Sequence, residues 1–298
     1  MKTNIPERIA ALREAMRQQK VDAYIIPSSD PHLSEYPADR WKSREWISGF
    51  TGSADKAGLW TDSRYFLQAA SQLEGSGIEL YKLALPETPS ITEFLLHELH
   101  AGQAVGLDGQ TYSAAEASAL ANKLSRKEIK LDTSADLIEG IWKDRPAVPG
   151  NPIFEMPEAL SGASVHEKLD LINNQLRSEG ADCLILAALD EIAWTFNIRG
   201  TDVTYNPVVV SYAFVSEDES VLFIKPEKLT AEITEHLKKE GVTLAEYSMI
   251  QRYLSRLPEN SRVFVDMNKT NVSLYDAIPG SCTIVEGISP ANHLKSIK

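Results

Sequence analysis

The chain has 298 residues, 43% of them hydrophobic and 24% charged, with a net charge of −12 at pH 7. That length is enough for two ordinary domain cores, and the acidic balance excludes nucleic acid, whose binding depends on Lys and Arg neutralising phosphates. No apolar run reaches the roughly 20 residues that cross a bilayer, no apolar leader opens the chain, and two cysteines, Cys183 and Cys282, do not make a disulfide framework, so a cytoplasmic location is expected.

Ile9, Leu12 and Met16 fall at helical spacing and predict an amphipathic helix ending near Lys20. A short buried strand is expected over residues 22–27. The polar, proline-punctuated stretch that follows, residues 27–40, has the character of a functional loop. Within it His32 lies beside Asp30 and near Glu35, a set able to bind a metal, although local hydrogen bonding is the plainer role for it. Residues 59–70 begin as a strand and end as a helix, and Asp62, Arg64 and Tyr65 crowd the switch. A buried junction is expected there, and an Arg in it needs something to hold. Arg64 either forms a salt bridge with Asp62 or Glu74, or uses its guanidinium fork to capture a carboxylate or carbonyl. A helix capped by Ser90 and Glu93 carries His97 and His100 three residues apart. The zinc-peptidase pattern needs histidines four apart, so a solvated helix face is expected.

The plan of the first half returns in the second. Ser164 and Glu167 form a capping box, Leu169, Ile172 and Leu176 line one helical face, and Gly180 closes the helix before the strand of residues 182–186. Residues 46–52 resemble residues 194–200, and Val105–Asp108 resembles Val263–Asp266, each followed by a turn and a helix, the first capped by Ser113 and Glu116. The offset is 160 from Asp22 to Asp182, 148 from Gly52 to Gly200 and 158 from Asp108 to Asp266. The first copy therefore carries the extra 27–40 loop and lacks about 10 residues after Gly52. The second copy has a hairpin there, expected over residues 208–214 and 221–224, so the first is expected to lack a strand. A chain break near Ser53–Asp55 would show that the strand was left out and not deleted. Four prolines between Pro146 and Pro157 mark a stiff seam. The expected organisation is α/β: a first domain over 1–145, a linker over 146–160 and a second domain over 161–298, each a mixed sheet flanked by helices.

Chemistry is sparse. The chain has no nucleophile elbow, P-loop or G-x-G-x-x-G. Asp190, Glu191 and Asp202 surround a Trp-containing turn, where caps and turns suit them as well as a paired-carboxylate hydrolase does.

The segments 23–36, 47–53, 59–70, 141–146 and 190–207 together resemble, in order, the non-catalytic N-terminal part of the long, three-domain Xaa-Pro aminopeptidases (aminopeptidase P). The resemblance implies two tandem creatinase/prolidase N-terminal domains. It implies that Arg64, which matches the Arg of the family's W-T-D-x-R-Y stretch, contacts bound peptide. No catalytic residue and no metal ligand carries over, and no cofactor is implied for this chain. The family's chemistry belongs to a third, pita-bread domain expected beyond Lys298, which holds two divalent metal ions, usually manganese. The implied partners are a proline-containing peptide, that catalytic domain and, in the intact enzyme, a second protomer in a homodimer. This chain by itself is expected to be inactive. The alternative is an inert, peptidase-like module that binds proteins, to which a charge of −12 would suit basic partners.

Overall fold

The computed structural model describes residues 5–49 and 57–297. The chain packs as two units: residues up to Ser28 with Asp39–Ala147, and Ser29–Ala38 with Val148 onward. The loop expected to carry function thus belongs in large part to the second unit.

In the first unit the helix Ile5–Gln19 buries Ile9, Leu12 and Met16, the face its spacing predicts. Strands β1 (Ala23–Ile25), β2 (Ala57–Thr61), β3 (Ile78–Lys82), β4 (Ala104–Leu107) and β5 (Lys130–Asp132) follow in chain order. They form a three-stranded sheet, β1-β4-β5, and a pair, β2-β3, all parallel. Val105 and Leu107 of β4 pack with Leu95 and Leu99 and with Leu120 and Leu124 of the helix Ala114–Ser125. Ser90 and Glu93 make the expected reciprocal cap. His97 of that helix is 85% exposed; the helix ends at Glu98, so His100, also exposed, lies beyond it, and Leu99 between them is buried.

The second unit adds β6 (Phe154–Glu155), β7 (Cys183–Leu186), β8 (Ile198–Arg199), β9 (Tyr212–Ser216), β10 (Ser220–Phe223), β11 (Val242–Ala245), β12 (Arg262–Val265) and β13 (Thr283–Glu286). Six of them form one sheet in the order β11-β10-β9-β7-β12-β13. Only β9 runs antiparallel to its neighbours, so the sheet is mixed. One face is covered by the helices Val165–Glu179, Leu189–Thr195 and Ala231–Lys239, through residues such as Ile172, Leu176, Ile192 and Leu237. Ile250, Leu254 and Leu274 cover the other. Gly180, at a φ of +66°, ends the helix Val165–Glu179 as its spacing predicts. The proline-rich stretch joins this unit from Val148 on. Ile153 is buried, and β6 pairs antiparallel with β8.

The hairpin is present, but β9 starts at Tyr212 and not at Val208. Val208–Ser211 is buried yet outside the ladder, because the Val210 amide donates to the Asp202 carboxylate.

Five strands of the six-stranded sheet correspond to those of the first unit's two sheets. The order β1-β4-β5 matches β7-β12-β13, and β2-β3 matches β10-β11. In the second unit β9 joins the two sets by pairing with β7 on one side and β10 on the other. Among the described residues of the first unit no strand plays that part, and its strand pairs are all parallel, with one isolated antiparallel bridge, Asp108–Ser134. The stretch near Ser53–Asp55, where a chain break would favour omission of the strand over its deletion, lies outside the described residues.

Candidate substrate-contact site

Arg64 follows directly on β2. The strand is fixed from behind: Trp60 stacks on Tyr81 of β3 at 4.2 Å, and its indole Nε1 donates to the Pro89 carbonyl at 2.7 Å. After Thr61 the chain turns through the single 3-10 turn Ser63–Tyr65 into the helix Phe66–Gln72. Asp62 caps that turn, its Oδ1 accepting from the Arg64 amide at 3.0 Å. The same carboxylate takes the guanidinium in a fork, from Nε at 2.9 Å and from Nη2 at 2.8 Å. The Tyr65 ring lies 5.4 Å from Arg64 Cζ. These charge-assisted bonds hold the Asp62 carboxyl down at about 2.

The junction expected to be buried is open. Leu59, Thr61 and Ala69 face the core, whereas the Arg64 side chain is 77% exposed and Leu67 90% exposed. The salt bridge with Asp62 is made, and it stabilises little at such exposure. What the pairing does is hold the guanidinium at the surface in one orientation.

The other candidates are structural. His32 is buried: one ring nitrogen, Nδ1, donates to the Ala187 carbonyl at 2.9 Å, and Nε2 accepts from the Tyr247 hydroxyl at 3.0 Å. The Tyr212 ring lies 4.4 Å from it. Burial lowers the His32 pKa, and with both nitrogens engaged the ring offers none to a metal. Asp202, expected in a cap or turn, is wholly buried in an ion pair with Lys228, a partner the sequence reading missed. Asp190 pairs with Lys295, and Glu191 is buried beside it. Arg145 holds Asp136 and Glu139 and donates to the Arg40 carbonyl, a fixed internal clasp in the first unit. Among the described residues no three His, Cys, Asp or Glu gather to hold a metal ion.

Two tandem α/β units of matching strand order, the first presenting an Arg after a W-T-D strand end, define the class: the chain belongs to the creatinase/prolidase N-terminal domain family, matched over residues 8–141 and again over 144–298. It is 36% identical over 315 residues to the probable Xaa-Pro aminopeptidase P of Coprinopsis cinerea, covering 98% of this chain and 50% of that protein. It is 36% identical over 294 residues to aminopeptidase P2 of Arabidopsis thaliana, covering 94% and 41%. Among solved structures it resembles the X-prolyl aminopeptidase of Caenorhabditis elegans, described as a cytosolic enzyme with a di-nuclear active site. The TM-score is 0.90 at 27% identity, over 97% of this chain and 51% of that one. The chain spans about half the length of the curated relatives it matches. The first alignment is longer than the chain's own 298 residues, so that relative carries residues with no counterpart here. Among the described residues no helix is long and apolar enough to cross a membrane.

Proposed function

We propose that the chain is the substrate-guiding front half of an Xaa-Pro aminopeptidase, a hydrolase that releases an N-terminal residue from peptides with proline second. The observation that carries this reading is the exposed Arg64 fork, aligned by Asp62 at 2.9 and 2.8 Å on a strand end braced by Trp60 and Tyr81. The relatives' names and the di-nuclear site of the nematode enzyme support it. In this reading Arg64 binds a peptide carbonyl or carboxylate and holds the substrate in line, a positioning contribution that leaves bond cleavage to other groups. The scissile Xaa-Pro bond is a tertiary amide with no N–H, so recognition falls on carbonyls, charges and the ring. Two metal ions, manganese in this reading, belong to a C-terminal catalytic half. The whole enzyme is cytoplasmic and homodimeric.

The test compares this chain with the same chain joined to its catalytic half, on an Xaa-Pro tripeptide with added manganese. The joined protein should cleave it, and this chain alone should show no turnover above a metal-stripped control. Cleavage by this chain alone, or none by the joined protein, contradicts the proposal.

A further inference from the structure

A cavity of about 580 Å³ opens in the second unit, within the size range of small-molecule sites. It lies between one face of the six-stranded sheet and the helix Ile250–Leu254 with the turn that follows it. Its floor is hollow for a local reason. Phe214 of β9 and Phe223 of β10 fill their part of that face, but Cys183 of β7 stands opposite Ser216 of β9, and β11 ends in Ala245. Three short side chains beside two large rings leave room beneath the helix. The aromatic wall is fixed in place. The Tyr253 ring meets Phe214 edge-on at 5.0 Å and Phe223 at 5.2 Å, and its hydroxyl donates to the Glu219 carboxylate.

The lining carries both signs of charge. Arg252 and Arg256 are exposed and stand one turn apart, a spacing at which like charges repel. Among the described residues neither has a carboxylate partner. The β9–β10 hairpin contributes Asp218 and Glu219, and Asp182 precedes β7, its carboxylate accepting from the Arg262 amide at 2.7 Å. A dianion such as a phosphate ester would meet these carboxylates, and a simple cation would meet the two arginines. The complement is a small zwitterion with an apolar body. An aromatic α-amino acid has all three parts: a carboxylate for the guanidinium pair, an ammonium for the hairpin carboxylates and a ring for the hollow beside Phe214 and Tyr253.

On these grounds we infer that the cavity is a binding site for a free aromatic amino acid. It lies wholly within the second unit and shares no residue with the Arg64 site, so it stands or falls apart from the function proposed above. The test is titration calorimetry of this chain with L-tryptophan, and with tryptamine and indole-3-propionate, which keep the ring and drop one charge each. Tryptophan should bind saturably, and each analogue should bind about tenfold more weakly for want of one charged pairing. Replacing both arginines, Arg252→Gln with Arg256→Gln, should weaken tryptophan binding at least as much and leave the unfolding temperature unchanged, since both side chains are exposed. No saturable heat with tryptophan overturns the site. An analogue that binds as tightly as tryptophan overturns the zwitterion as its ligand. A double variant that binds like the wild type overturns the assignment to this cavity.

Discussion

Glu191 has a carboxyl at 1% exposure in the first turn of its helix, and burial raises it to about 7. Asp190 and Asp266 push in the same direction, and Lys295 pulls against them. Between the ordinary value of 4.5 and about 7 the folded chain holds a proton that the unfolded chain has released. Stability from this group therefore falls as pH rises through that window and levels off above it. Glu191→Gln removes the slope: relative to wild type it should be neutral near pH 4.5 and gain about 3 kcal/mol above pH 7, read from urea unfolding across pH. A difference between the two proteins that does not change with pH contradicts the assignment. Nothing in the spelling Leu189-Asp190-Glu191 separates the exposed carboxylate from the buried one, because the helix Pro290–Lys295 that packs against this one is far away in sequence. Lys228 was illegible for the same reason: it lies 26 residues from Asp202 and reads as an ordinary surface lysine until the fold closes on it.

At the scale of elements, local signals carried well. The capping pairs Ser90–Glu93, Ser113–Glu116 and Ser164–Glu167 all form, since each is complete within four residues. The start of β9 did not carry: Val208–Ser211 has a strand's composition, but the Val210 amide is claimed by Asp202. The internal comparison placed the gap in the first copy where β9 has no described counterpart, because a repeat makes an absent element visible as an offset. The β2-β3 pair that carries Arg64 depends on Gly58. A Cβ there would stand 2.7 Å from both the Trp60 and the Tyr81 rings, so any side chain parts the stack. Gly58→Ala should destabilise the first unit by about 1–3 kcal/mol, seen as an earlier unfolding transition in urea. An unshifted transition would mean the stack does not brace this edge.

At the scale of the whole molecule, the duplicated α/β plan was legible because periodicity, caps and turns repeat in order. The destination of the 27–40 loop was not. Its residues 29–38 belong to the second unit, where His32 meets Ala187 and Tyr247, and Asn271 donates to the Pro31 carbonyl at 2.7 Å. Segments that resemble the aminopeptidases therefore divide in two. His32, Asp202 and Arg145 serve as internal fastenings, whereas Arg64 holds its side chain out to solvent. Arg64 bears most of the functional account. The most direct measurement is kcat/KM of Arg64→Ala on an Xaa-Pro tripeptide, in the protein joined to its catalytic half. Loss of a charged hydrogen bond to the peptide should lower it by about 1–3 kcal/mol, roughly 5- to 150-fold. With so exposed a side chain, the unfolding temperature should stay where it is. An unchanged kcat/KM would contradict the account and leave Arg64 as a surface partner of Asp62.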